Sequence, residues 1–422
     1  MLDLKNKKVT IIGFAKSGMA CAELVINKGG KVRISDLAAQ EKLNSLLSDW
    51  PCFNDVQLEC AGHSEAFIKD SDLIVLSPGV RSDAQPIFWA RQKKIPVIGE
   101  IELAWQFCDK PVVAVTGSNG KTTVSTLIAK VLERSGQRVC LCGNIGPPFS
   151  KYVLDSNAYD VFVLEVSSFQ LESTVEFRPH VSVFTNFSQN HLDRHKDLQE
   201  YLDAKKRIFL NQRNDNYAVL NYEDETVRAV AAGLNSIISF FNPPGTAKRT
   251  GISNPNFLAA MEVGRIFGVS PETCKEVFED FKGVEHRLEV VRTLDGVDFI
   301  NDSKATTAES GRWALECLQK PIHLICGGRD KNIDFSVLKH LVKDKVKKMY
   351  VIGEAKEKFK ETFFNVVNIE DCQDLSDAVS CARRSAKSGD CILLTPMCAS
   401  FDMFANFEER GRIFKDIIQK LK

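Results

Sequence analysis

Several signatures that would classify this 422-residue chain at once are missing from it. Its 55 basic and 55 acidic side chains cancel. No global field therefore draws it to nucleic acid or anionic lipid, and any phosphate must be met by local positive charge. No run approaches the ~18 apolar residues of a membrane-spanning helix. The stretch from Lys5 to Ala22 begins like a signal peptide, but Gly13, Lys16 and Gly18 interrupt its apolar block, and secretion is not expected. The 13 cysteines are odd in number, scattered and without a CxxC pair. That argues against a disulfide framework or a structural zinc site, and for a reducing cytoplasm. No period of roughly 20 to 50 residues repeats, so solenoids and propellers are excluded.

Two nucleotide-binding signatures are present but incomplete. A full phosphate loop of the GxxxxGK[ST] type needs glycine where this chain has Val115, and only Gly120-Lys121-Thr122 fits. The surroundings strengthen it. Val112, Val113 and Val115 form a β-branched run, and Val124, Leu127, Ile128, Val131 and Leu132 follow at helical spacing, so the segment reads strand, loop, helix. Backbone N–H groups of Gly117, Ser118, Asn119, Gly120 and Lys121 then converge on a helix N-terminus that favours an anion. Lys121 adds charge for the outer phosphates, and the hydroxyl of Thr122, followed by Thr123, can reach Mg²⁺. ATP is the expected ligand.

The second signature is Gly13-Phe-Ala-Lys-Ser-Gly18 after the strand Lys8 to Gly13, with Asp36 at the end of the next strand, about twenty residues on. Ala15 replaces the middle glycine and crowds a pyrophosphate. NAD, another phosphate-bearing ligand and a plain packing turn all stay open. Ser77, followed by Pro78-Gly79-Val80, repeats the pattern of strand and tight loop.

In the centre of the chain, Gly143-Asn144-Ile-Gly146 follows one strand and Glu165 ends another, where a second metal-holding group belongs. His191 and Asp193 stand on the loop after a third. Lys205, Lys206 and Arg207 fall within one helical turn, and spacing does not decide which turns inward. Toward the end of the chain, a hairpin turning at Asp295-Gly296 leads into Asn301 to Thr307, and three buried strands then alternate with helices. The loops Asp302 to Thr306, Gly327 to Lys331 and Ser400 to Phe407 are expected to line one crevice. The expected architecture is α/β in three domains: a Rossmann-like domain over 1–98, a central P-loop-type ATP-binding doubly wound sheet over 99–284, and a second Rossmann-like domain over 285–422.

Thr116-Gly-Ser-Asn-Gly-Lys-Thr-Thr123, Glu165-Val-Ser-Ser-Phe-Gln-Leu171, Asn190-His-Leu-Asp-Arg194, His286-Arg287, Asn301-Asp-Ser-Lys-Ala-Thr306 and the segment Ser400 to Phe407 occur in this order. Together they resemble the Mur ligases along essentially the whole chain, and within them the branch that adds D-glutamate. The resemblance implies a cytoplasmic step of peptidoglycan synthesis, tied to cell shape and division. In it ATP phosphorylates the alanyl carboxylate of UDP-N-acetylmuramoyl-L-alanine and the amine of D-glutamate displaces the phosphate. It implies two Mg²⁺ ions, with Thr122, Glu165, His191 and Lys205 near them, Lys205 being carbamylated in the family. It further implies Asn256, Arg287 and Asp302 at ATP, Lys304 at the reacting phosphate, and Thr306, Lys331, Ser400 and Phe407 at D-glutamate. Asn144 is implied as a substrate contact, and Ser17, Asp36 and Ser77 at the UDP moiety. No nucleic-acid or membrane partner is expected, and the chain is expected to act as a monomer.

Two rivals remain on sequence: a related ligase for another amino acid or a folate, and a non-catalytic nucleotide-binding protein. The Asp-Asn-Pro-Arg stretch expected of the diaminopimelate or lysine adder is absent. One departure concerns the adenine side, where Ile252-Ser253 stands in place of the family's usual His-Asn, while Asn256 keeps its position.

Overall fold

The computed structural model describes residues 2–47, 50, 56–189, 194–330 and 333–421. Two of the expected site residues, His191 and Lys331, lie outside them. Among the described residues seventeen strands form three sheets. The first holds β1 (Lys8–Ile12), β2 (Lys31–Ser35), β3 (Val56–Glu59), β4 (Leu73–Leu76) and β5 (Val97–Gly99), in the order β3-β2-β1-β4-β5 and parallel throughout. The second holds β6 (Val112–Thr116), β7 (Val139–Gly143), β8 (Val161–Glu165), β9 (Val181–Phe184), β10 (Tyr217–Asn221) and β11 (Ile237–Phe241), ordered β11-β10-β9-β6-β8-β7, again parallel.

Strands β4, β6, β8 and β9 are buried along their whole length, as a parallel sheet covered by helices on both faces requires. In the first sheet the strand order reverses between β1 and β4, and the loops after these two strands open a crevice at their carboxyl ends.

The third sheet departs from the all-parallel expectation. Its strands are β12 (Glu289–Leu294), β13 (Val297–Asn301), β14 (Ile322–Gly327), β15 (Val346–Ile352), β16 (Asn368–Asp371) and β17 (Cys391–Leu394), ordered β12-β13-β17-β14-β15-β16. The hairpin strand β12 runs antiparallel to β13 at one edge. The rest are parallel.

By compactness the chain divides into two units, Met1–Phe281 and Lys282–Lys422. The first two sheets fall in one unit because a single apolar core runs through both, from Val9, Ile11 and Val25 through Ile101 and Leu103 to Phe149, Phe162 and Leu164. The helix Glu100–Trp105 stitches them together. Glu100 accepts the Ser150 N–H at 2.7 Å, and Glu102 accepts the N–H groups of Val175, Glu176 and Phe177. Among the described residues no helix is long and apolar enough to cross a membrane.

Candidate active site

Strand β6 delivers the phosphate loop to the centre of the second sheet, and the helix Lys121–Arg134 leaves from it. The loop is held by the segment after the neighbouring strand β9. Ser118 N–H bonds to Asn186 O at 2.9 Å and Asn119 N–H to Asn186 Oδ1 at 2.9 Å, while Thr185 Oγ1 donates to Asn119 O at 2.7 Å. The expected convergence of amides on an anion is thereby corrected for Ser118 and Asn119, whose N–H groups are bonded inside the fold. Two glycines are compulsory. A Cβ on Gly117, with φ +151°, would stand 1.9 Å from Thr185 Oγ1, and one on Gly120, with φ +78°, would stand 2.7 Å from Asn256 Oδ1. The second contact also brings Asn256, expected at the adenine side, against the loop.

The basic cluster resolves by packing. Lys205 turns inward at 2% exposure and donates to Gly117 O at 2.8 Å. Lys121 donates to the same oxygen at 2.9 Å and to Ser118 O at 3.0 Å. Lys206 stays at the surface beside Asp203, and Arg207 bonds to the carbonyls of Leu171 and Thr174. Burial, and then repulsion from Lys121, hold the Lys205 amine well below the ordinary lysine pKa, with Glu165 pulling the other way. The residues that pin the loop from β9, Thr185 and Asn186, were missed in the sequence. Their only signal is their place at the end of a strand beside β6.

Glu165 closes β8 at 2% exposure. Its Oε1 accepts the Asn144 side-chain amide at 2.6 Å, while Oε2 is buried and has no hydrogen-bond partner among the described residues. An orphaned carboxylate oxygen in a dry site is unstable without a cation. Together with the buried Thr122 at the start of the helix, it makes an oxygen donor set that fits a hard divalent ion such as Mg²⁺. Among the described residues, the histidine, cysteine and carboxylate donors that cluster closely enough to share a metal are Cys372, Asp377 and Cys381. They lie in the other compact unit, and Arg384 Nη2 stands 3.0 Å from Cys381 Sγ.

A cleft of about 570 Å³ connects the first sheet to this site. Ser17, Asp36 and Ser77 line one part of it and Asn144, bonded to Glu165, lines another, so four expected substrate residues come together. Ser77 Oγ donates to Gly13 O at 2.6 Å, and Asp36 accepts the N–H groups of Phe14 and Ala38 at 2.6 and 2.7 Å.

Arg194 and His195, which spacing did not single out, tie the same region together. Arg194 donates to Val80 O at 3.0 Å and to Glu172 at 3.2 Å. The buried His195 bonds to Ser168 at 3.0 Å and packs on Tyr201, whose hydroxyl lies 3.3 Å from Ser118 Oγ.

In the unit Lys282–Lys422, Asp302 is almost fully buried rather than open to solvent. It accepts from Thr395 Oγ1 at 2.7 Å and from Leu288 N–H at 3.2 Å. Burial pushes its carboxyl up to about 6 against the pull of Thr395 and Arg287. Lys304 stands 5.9 Å from the centre of the Phe407 ring, and Arg287 5.9 Å from that of Trp313. Thr306 is half-buried and Ser400 buried.

Three parallel-type sheets, a lysine-bearing phosphate loop and a buried carboxylate at the next strand end define a nucleotide-using α/β enzyme. Family models match in chain order: a Mur ligase MurD-like N-terminal domain over residues 7–99, a Mur ligase middle domain over 115–253, and a Mur ligase glutamate ligase domain over 286–398. The chain belongs to the Mur ligase family. Its relatives within it include the UDP-N-acetylmuramoylalanine–D-glutamate ligase of Koribacter versatilis, 38% identical over 452 positions that cover 100% of this chain and 99% of that protein. The enzyme of the same name from Acidobacterium capsulatum is 39% identical, covering 99% and 97%. In fold the chain is similar to UDP-N-acetylmuramate-alanine ligase MurC from Thermotoga maritima, with a TM-score of 0.57 at 18% identity, covering 99% of this chain and 100% of that one.

Proposed function

We propose that this chain is the ATP-dependent ligase that joins D-glutamate to UDP-N-acetylmuramoyl-L-alanine in the cytoplasm, acting as a monomer. The observation that carries the reading is the cleft that runs from Ser17 and Ser77 to Asn144, and through Asn144 to the unpartnered oxygen of Glu165 beside the phosphate loop. A sugar nucleotide anchored in the first sheet's crevice extends its carboxylate toward the triphosphate.

The chemistry follows from the groups present. A carboxylate is a poor electrophile. Transfer of the γ-phosphoryl group to one of its oxygens gives an acyl phosphate and ADP, and the D-glutamate amine then attacks the acyl carbon. The C–O bond to phosphate breaks, a proton leaves the nitrogen, and the products are amide, ADP and phosphate. Lys121 offsets charge gathered between the two anions. Thr122 and Glu165, with His191, would hold two Mg²⁺ ions, which supply Lewis-acid neutralisation of phosphate charge when bound. Burial and repulsion from Lys121 lower the Lys205 pKa and so favour its neutral amine. Such an amine adds CO₂ and loses a proton, converting a cation into an anionic oxygen ligand.

Within this reading, residues 1–98 bind the UDP end through Ser17, Asp36 and Ser77. Residues 99–284 bind ATP through Gly117 to Thr123 and Asn256. Residues 285–422 supply Arg287 and Lys304 to the phosphates and seat D-glutamate with Thr306, Lys331, Ser400 and Phe407. The buried Asp302, held by Thr395 and Leu288, organises that loop and faces ATP from it. The test is phosphate release with UDP-N-acetylmuramoyl-L-alanine, ATP and Mg²⁺. Turnover with D- but not L-glutamate is expected, and equal turnover with both would reject the assignment.

A further inference from the structure

Among the largest fully buried side chains of the described residues is a charged one, Arg410, in the helix Phe407–Lys420 at 0% exposure. Its guanidinium is held by carbonyls and a hydroxyl. Nε donates to Ser303 Oγ at 3.0 Å, Nη2 to Ser303 O at 2.9 Å, and Nη1 and Nη2 to Cys398 O at 3.2 Å each. Ser303 Oγ in turn donates to Phe407 O at 2.8 Å. A Cβ on Gly328 would come within 3.3 Å of Nη1 and 2.3 Å of Ala399 O, so the turn after β14 also packs against this group.

One side chain therefore ties the segment of Lys304 and Thr306 to that of Ser400, and through Ser303 both to Phe407. Among the described residues no carboxylate forms an ion pair with it. Burial lowers its pKa only to about 10, so it stays charged at neutral pH. A fold that needed only a rigid knot here would be served by neutral groups, since burying an unpaired charge is expensive. Asp402 acts on the guanidinium through space without an ion pair, and the donors of the fork are spent on the loops around Ser303 and Cys398.

We infer that Arg410 is a positioning residue for the amine substrate: it sets the register of the loops that seat D-glutamate. This rests on the ligase reading above. Arg410 touches no reacting atom. Its effect passes through Ser303 to Lys304 and Phe407, and through Cys398 to Ser400.

The experiment is steady-state kinetics on full-length Arg410→Met, Arg410→Lys and Ser303→Ala, with near-ultraviolet circular dichroism to establish folding. Turnover by the wild type with D-glutamate tests the ligase reading; the variants test only this inference. The KM for D-glutamate should rise about a hundredfold in R410M and about tenfold in R410K, which keeps the charge but loses the fork. It should rise about fivefold in S303A. KM values for ATP and the UDP substrate should stay within twofold of wild type. If R410M does not fold, R410K and S303A decide the matter. A folded variant series with an unchanged KM for D-glutamate, or with all three KM values rising together, would overturn the inference in favour of a purely structural knot.

Discussion

Two lysine ammonium groups donate to one backbone oxygen in the phosphate loop, that of Gly117, and one of them is buried. For an amine whose folded pKa lies below its ordinary value, the unfolded chain binds the proton more tightly. The destabilisation is therefore full below the folded pKa and vanishes as pH rises through the ordinary 10.5. Lys205→Met should abolish turnover yet raise the melting temperature at pH 7 by roughly 3 °C or more in CO₂-free buffer, with the gain shrinking toward pH 10. Thermal melts across that range check it, and a variant that melts lower than wild type at pH 7 would contradict it. Asp302 works in the opposite sense. Its folded pKa of about 6 lies above the ordinary 3.8, so its contribution to stability is fully present below pH 4 and is lost as pH rises through 6. Denaturant unfolding of wild type and Asp302→Asn at several pH values should show wild type losing on the order of 3 kcal/mol relative to the variant between pH 4 and 7. Parallel curves would mean that the carboxyl titrates normally. Neither burial was legible in the sequence. Three basic residues in one turn are equivalent until the helix Leu198–Lys206 is laid against the loop after β6, and Asp302 reads as a loop residue until Thr395 closes over it.

At the scale of elements, the sequence showed the strands that are buried on both faces and hid those that are not. Strands β6, β8 and β9 are near-continuous apolar runs, and their chain order alone put Gly117, Glu165 and the loop after Phe184 at one end of one sheet. Strands β3 and β16 are edge strands of mixed polarity, with no apolar run to mark them. The antiparallel β12 was visible as half of a hairpin but not as the edge of the third sheet, because pairing partners are set by packing rather than by local pattern. In the proposed reading the chemistry depends on the turn at the end of β6, and the helix that follows it carries its own control. Gly117→Ala puts a Cβ into Thr185 and should lower kcat/KM at least about a hundredfold with loss of nucleotide binding. Gly136→Ala, after the other end of the helix, meets nothing within 4 Å and bears only the strain of φ +93°, about 1–2 kcal/mol. It should keep its activity. Calorimetric titration with a non-hydrolysable ATP analogue separates the two, and equal affinities would show that the loop tolerates a side chain where the packing says it does not.

At the scale of the whole molecule, the three domains matched by the family models and the two compact units do not coincide. Residues 1–98 contain all of the five-stranded sheet except Gly99 at the end of β5, but the apolar core beneath it continues through Ile101, Leu103 and Ala104 into Phe149 and Phe162. Severing the chain after residue 98 exposes that face, and the buried Glu100 and Glu102 lose the N–H groups they bond. The unit Lys282–Lys422 has its own sheet and two apolar clusters of its own. The fragment 1–281 should therefore melt in one cooperative transition and the fragment 282–422 in another. The fragment 1–98 should give no cooperative melt and should aggregate. Nucleotide at 100 times its dissociation constant should stabilise 1–281 by about 2.7 kcal/mol and leave 282–422 unmoved, because the phosphate loop and its lysines all belong to the first unit. Differential scanning calorimetry of the three fragments reads these outcomes directly. A sharp, reversible transition in 1–98 alone would mean that the shared core contributes little, and that the acceptor lobe folds as independently as its closed sheet order suggests.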